Sequence, residues 1–322
     1  MAGSNIPVYA AIASNLAIAV TKFVVAGITG SSAMLSEGIH SIVDTGNGIL
    51  LLVGIKLSHR KPNVEHPFGH GKEVFFWSLI VAVLIFGVGG GVSIYQGVLR
   101  LLEPRPLEES GWNYAILGAA ALFEGASLAV ALRQFKRSIG AEPFWRALRT
   151  SKDPTLYTVI AEDSAALAGL VAAAIGVWGS HALRMPAFDA GASIVIGLLL
   201  CGVSSLLIVQ SRKLLVGEAV APEMAEEIRR IAQSEKDVHR AGWPLTMHLG
   251  PDDVLLAFDA EFRDDVAAED MSRAVNRIEQ SIRDRFPEIG RIYVESRRVA
   301  PAEVAPAATL SSDAAPAQDE RR

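Results

Sequence analysis

Apolar and polar positions divide the chain into two parts of different rhythm. Up to about residue 210, six apolar runs cover roughly 8–28, 33–56, 75–99, 113–133, 156–178 and 187–210. A helix rises 1.5 Å per residue, so ~20 apolar residues cross the hydrocarbon of a bilayer. The runs therefore predict six membrane helices. After about Gly217 the pattern changes. Ala221 to Ala232 reads as an amphipathic helix with Pro222 in its first turn. Trp243 to Leu249 is a strand candidate, and Gly250-Pro-Asp-Asp253 a turn. Val254, Leu256, Phe258, Ala260 and Phe262 then alternate with Leu255, Ala257, Asp259 and Glu261, the pattern of a half-buried strand. Met271, Val275, Ile278 and Ile282 mark one face of a helix that Pro287 ends, and Arg291 to Ser296 forms a last strand. The order α-β-β-α-β predicts a small open sheet with helices on one side. From about Pro301 the chain is rich in Ala, Pro and Ser and is expected to be disordered. The expected division is a transmembrane part over 1–213, an α/β domain over 214–300 and a tail over 301–322.

Composition agrees with several membrane helices plus a water-exposed part. The 322 residues are 50% hydrophobic and 20% charged, with a mean hydropathy of +0.31. The net charge of −5 argues against a nucleic-acid partner. The single cysteine, Cys201, excludes a disulfide framework and a Cys-rich zinc motif. The N-terminus Met-Ala-Gly-Ser-Asn-Ile-Pro lacks the basic start of a signal peptide, so the first run is expected to be retained. Lys and Arg sort by side. The connection between runs 2 and 3 holds Lys56, Arg60, Lys61 and Lys72, and that between runs 4 and 5 holds Arg133, Lys136, Arg137, Arg146, Arg149 and Lys152. Arg212 and Lys213 follow the sixth run. The connection between runs 1 and 2 has neither residue type. Between runs 3 and 4, Arg100 and Arg105 are offset by Glu103, Glu108 and Glu109, and between runs 5 and 6 there is only Arg184. The positive-inside rule then places both termini in the cytoplasm.

The candidate chemistry lies inside the apolar runs. Glu37, His40 and Asp44 in the second run are spaced i, i+3 and i+7 and share one helical face. One ionisable residue at the bilayer centre costs at least ~2.5 kcal/mol, so three on one stripe need partners. His40 and Asp44, one turn apart, form half of a metal site. A helix–helix hydrogen bond is the plainer reading. The fifth run supplies Glu162 and Asp163, which point ~100° apart, so one of them faces a shared site well. Asp163 is the choice for the second half, and Glu162 is a ligand or a partner of another helix. Lys22 and Glu37 fall at similar depth and make a structural ion pair on one reading. Glu124 in the fourth run is a proton-relay group or a packed neutral acid. His66 and His70, beside Glu65 in a Gly/Pro-shaped loop, bind entering metal or contact neighbouring helices. No nucleophile with a general base, phosphate loop or cysteine pair occurs in the sequence, so no enzymatic activity is expected.

These residues together resemble the cation diffusion facilitators, six-helix divalent-metal exporters with a cytoplasmic domain. The resemblance covers about Ala10 to Arg298 and rests on Gly30-Ser-Ser-Ala-Met-Leu-Ser-Glu-Gly-Ile-His-Ser-Ile-Val-Asp44, on Pro67-Phe-Gly-His-Gly-Lys-Glu73 and on Glu162-Asp163. It implies a ferredoxin-like, metallochaperone-like C-terminal domain that serves dimer contact, and a homodimer. It also implies a transport site between the second and fifth helices, with two ligands four residues apart on each. His40 and Asp44 match on the second; on the fifth, Asp163 matches and Val159 stands where a ligand is usual. Glu162, Glu37 or a water would then complete the shell. In the loop, His66 and His70 match, with Asn63 at a usual aspartate position. The strand positions that carry a metal cluster in other members hold Trp243, Asp259, Val294 and Ser296, so no metal pair is expected there.

The expected activity is export of a divalent cation from the cytoplasm in exchange for protons, with no resident cofactor. Ligands must be deprotonated to bind metal, so M²⁺ and H⁺ compete for the same groups, and an imidazole titrates near neutrality. Zinc is favoured by His with carboxylates; Mn, Fe and Co also suit the set. The alternative is a metal-sensing or scaffolding membrane protein of the same fold without turnover, and a channel is a third reading. The expected location is a bilayer with multiple crossings, taken as a bacterial inner membrane from the excess of Arg over Lys and the abundance of Ala.

Overall fold

In the computed structural model, residues 6–104, 112–138, 154–300 and 303 are described. Apart from Glu303, the expected tail from 301 lies outside them, as do Arg105, Glu108, Glu109, Arg146, Arg149 and Lys152. The chain forms two compact units, one drawn from residues 1–64 and 72–215, the other from 65–71 and from 216 onwards.

The first unit is helical. Its elements are α1 (Ile6–Thr29), α2 (Ser32–Ser58), α3 (Glu73–Leu102), α4 (Trp112–Ser138), α5 (Pro154–Ala182) and α6 (Ala187–Val216). Helices α2 to α6 are each long and apolar enough to span a bilayer, and α1 runs for 24 residues. Large apolar side chains such as Val24, Leu122, Ile175, Leu198 and Leu206 lie exposed on the helix flanks. Lipid tails are as apolar as leucine, so such flanks cost nothing in a bilayer. The protein is a multi-pass integral membrane protein.

The α3 helix departs from the plain helix its apolar run predicts. Residues Ile85–Gly91 form a π-helical stretch within it. The sequence there is Ile-Phe-Gly-Val-Gly-Gly-Gly, and small residues let α3 approach α6 closely. A side chain at Gly197 of α6 would stand 2.7 Å from the Gly90 carbonyl oxygen.

The turn from α1 to α2 fixes where the polar stripe begins. Gly30 takes a left-handed φ of +69°, a conformation that favours glycine. Ser31 then caps α2, its Oγ accepting from the Met34 amide at 3.1 Å. Asp189, at the start of α6, adds a second cap. Its carboxylate accepts from the Ser32 amide and Ser32 Oγ, each at 2.6 Å, from the Ala33 amide at 3.4 Å, and from Ser31 Oγ. A buried carboxylate on the first turn of α2 satisfies amides that have no partner within the helix.

The second unit holds α7 (Pro222–Gln233), β1 (Val238–Ala241), β2 (Leu245–Gly250), β3 (Asp253–Phe262), α8 (Ala268–Arg285) and β4 (Ile289–Ser296). This is the ferredoxin-like arrangement with one more strand than the sequence pattern predicts. The extra strand is β1, four residues that are too short for alternation to show. Both β1 and β2 pair antiparallel with β3, β1 along Ala260–Phe262 and β2 along Asp253–Ala257. They lie end to end on one edge of β3, so they fill the place of a single interrupted strand. On the other edge β4 runs parallel to β3, as a β-α-β crossover requires. The alternation reads out as expected: Val254, Leu256, Phe258, Ala260 and Phe262 are buried against Ile228, Ala232, Ile278 and Ile282 of α7 and α8. The loop 65–71 belongs to this unit. Phe68 lies under the Arg291 guanidinium at 5.5 Å, and Arg291 bonds Asp253 at 3.0 Å.

Candidate metal centre

On α2, one turn of helix brings His40 and Asp44 together. Their Nε2 and Oδ2 atoms stand 3.3 Å apart. His40 is 1% exposed, and neither ring nitrogen makes a hydrogen bond; Asp44 Oδ1 is likewise buried without one. Buried polar atoms are normally paired, so an imidazole whose two nitrogens make no hydrogen bond keeps its one lone-pair nitrogen free to serve a ligand.

The acids of α5 lie near this stripe. Asp44 lies within electrostatic reach of Glu162 and Asp163, and also of Glu124 on α4. Ser127 of α4 donates a hydrogen bond to the Asp163 carboxylate, whose Oδ2 is buried without a partner. Glu162 is held differently. Asn47 Nδ2 on α2 donates to its Oε1 at 2.9 Å. The stripe on α2 thus extends from His40 and Asp44 to Asn47, another three residues on. Among the described residues, no three His, Cys, Asp or Glu side chains stand close enough to share one ion. The structure joins His40 to Asp44 and sets Asp163 and Glu162 on the facing helix.

Val159 packs with Ala131, Phe135, Leu128 and Leu132 of α4 and with Ile160. It serves the α4–α5 seam, so the turn of α5 before Asp163 contributes packing there.

Lys22 of α1 is fully buried and forms an ion pair with Glu37 at 3.1 Å, while also donating to Ser41 Oγ at 2.8 Å. The ion-pair reading of Lys22 and Glu37 is the arrangement present. The second oxygen of Glu37, Oε1, has no hydrogen-bond partner. It faces Gly169 of α5, where a side chain would come within 2.7 Å of it. Glu124 is half-buried and within electrostatic reach of Lys22, Asp163 and Glu37.

In the second unit, the rings of His66 and His70 stack with centroids 4.5 Å apart, and His70 Nδ1 is buried without a hydrogen bond. The Asp259 carboxylate is taken by Arg297 at 2.5 Å, and Arg297 also bonds Glu303. These two acids push the Arg297 guanidinium above its ordinary range. Glu235, bonded to Arg277 at 2.7 Å, is held below the usual carboxylate range by that guanidinium.

Every ionisable group of the stripe is legible in the sequence, whereas Asn47, Ser41, Ser127, Asp189 and Gly169 emerge with the structure. Asn47 and Ser41 were detectable as polar residues on the Glu37–His40–Asp44 side of α2. Asp189 and Gly169 act across helices, so only tertiary packing reveals them.

The family model described as the cation efflux transmembrane domain matches residues 8–216. A protein of Xenopus laevis named proton-coupled zinc antiporter SLC30A9, mitochondrial, is 37% identical over 212 residues, 65% of this chain and 38% of that protein. Metal tolerance protein C4 of Arabidopsis thaliana is 35% identical over 223 residues, 67% of this chain and 48% of that protein. Magnetosome protein MamM of Magnetospirillum gryphiswaldense is 26% identical over 234 residues, 71% of this chain and 69% of that protein. The aligned part thus spans less than half of the first two relatives. With a match across most of its length and all six helices, the chain belongs to the cation efflux family, the cation diffusion facilitators.

Proposed function

We propose that the protein carries a divalent cation, zinc foremost, across its membrane in exchange for protons, with His40, Asp44 and Asp163 as the ligands. The observation that carries this is the His40–Asp44 pair at 3.3 Å, whose ring nitrogens and buried Oδ1 make no hydrogen bonds. The names of the zinc antiporters among its relatives support zinc and protons as the exchanged ions. Two carboxylates balance a 2+ charge, and imidazole with carboxylates suits Zn²⁺. Release of the ion leaves lone pairs that protons fill, so the return step carries H⁺ the other way. Movement of helices about a site deep in the bundle would give alternating access. In this reading Glu162, to which Asn47 donates, serves as the fourth ligand in place of Val159. The partners are then the metal ion, protons, the bilayer and a second copy of the chain in a homodimer.

The test is flux in proteoliposomes. His40→Ala and Asp44→Ala each abolish metal-stimulated proton flux while leaving the detergent-solubilised protein folded. Wild-type flux in both variants would reject the site. The packing of Val159 in the α4–α5 seam favours the second reading, a sensor or scaffold without turnover. Metal uptake into inverted vesicles driven by a pH gradient separates the two readings.

A further inference from the structure

Five carboxylates, Glu37, Asp44, Glu124, Glu162 and Asp163, act on one another electrostatically inside the helical unit. Among the described residues, Lys22 is the one Lys or Arg that is buried. Its ammonium sits on two rungs of the α2 stripe, Glu37 and Ser41, and the next rung is Asp44. It also lies within electrostatic reach of His40, Asp44 and Glu124. A buried ion pair is a poor adhesive, because desolvation of both charges cancels most of their attraction. This pair is not even fully satisfied, since Glu37 Oε1 has no hydrogen-bond partner.

Resting on the transport site proposed above, we propose that Lys22 is a tethered competitor of the transported cation. Its positive charge, tethered on the ligand stripe at Glu37 and Ser41, weakens metal binding and so permits release. Glu37 acts as the counterweight that limits how strongly Lys22 repels the ion. Both are positioning residues that act through charge, and neither ligates the metal. Charges a few ångströms apart in a medium of low dielectric alter binding by about tenfold or more.

The proposal demands effects of opposite sign. Zn²⁺ and Mn²⁺ are titrated calorimetrically into the full chain in nanodiscs. Lys22→Met binds both ions about tenfold more tightly and transports them more slowly. Glu37→Gln leaves the ammonium uncompensated, and both ions bind about tenfold more weakly. The double variant Lys22→Met/Glu37→Gln, with both charges gone, returns to near wild-type affinity. It also keeps the test decisive if Lys22→Met alone fails to fold, because it is then compared with Glu37→Gln. Two results would overturn the proposal: single variants that change affinity in the same direction, or a double variant as weak as Glu37→Gln. A shift confined to one of the two metals would do the same, since charge acts on both alike. Asp44→Asn is the control for the site itself. If it binds metal as wild type does, the transport site is wrong; if it loses binding while Glu37→Gln changes nothing, only the role of Lys22 falls.

Discussion

Asn47 shows how much one amide contributes to an acidic interior. Its side-chain amide donates to Glu162 and comes from the same helix as His40 and Asp44. Asn47→Leu keeps the volume and removes the donor, leaving a buried carboxylate short of a partner. Losing such a bond to a charged group costs about 1.5–3 kcal/mol. The expected outcome is a lower unfolding temperature in detergent and a transport rate that falls more for the metal that relies most on Glu162, read in a flux assay with Zn²⁺ and Mn²⁺. The acids and the imidazole were legible in the sequence because ionisable residues inside an apolar run are conspicuous. Their partners were less so. A serine, an asparagine or a glycine is unremarkable in a membrane helix until a neighbour's atoms are seen against it.

Two contacts between helices set the frame of the site. Gly169 on α5 leaves room for the Glu37 carboxylate. A methyl group there must displace an acid already held by Lys22, and overpacking of this kind costs about 1–3 kcal/mol. Gly169→Ala should therefore lower thermal stability, and adding Glu37→Ala should recover part of the loss that each change alone would predict, a non-additivity read by a double-mutant cycle. At the other contact, Asp189 of α6 bonds the first turn of α2 through Ser31, Ser32 and Ala33. Losing a helix cap costs about 0.5–2 kcal/mol. Asp189→Ala removes every one of these bonds and should raise hydrogen exchange at the start of α2, with Asp189→Asn in between. The helices themselves followed from run length, whereas the π-helical stretch of α3 did not, because a run of glycines reads equally well as a loose α-helix.

At the scale of the molecule, two units predict two separable transitions. Ile278 is buried in the second unit against β3. Ile278→Ala should cost that unit about 2–5 kcal/mol and leave the helical unit's transition in place, which calorimetry of the whole protein in detergent can resolve. Acid acts on the same unit through Glu235. Arg277 holds this carboxyl below its ordinary range, so its contribution to stability is present above that range and fades as pH falls through the depressed value. Arg277→Ala should lower the unit's stability near neutrality, with the gap to wild type closing in acid, as followed by urea unfolding at a series of pH values. The two units were visible in the change of rhythm near Gly217. The membership of residues 65–71 was not, because a short polar loop between two membrane helices gives no periodic cue.

That loop makes the second unit discontinuous along the chain. Seven residues are inserted from far upstream, with Phe68 beneath Arg291 and Gly71 set against Leu249 and Gly250. A chimera that grafts this C-terminal region onto another carrier must therefore bring the donor's loop as well. Without it, Arg291 would lose its aromatic seat and the end of β2 its covering glycine.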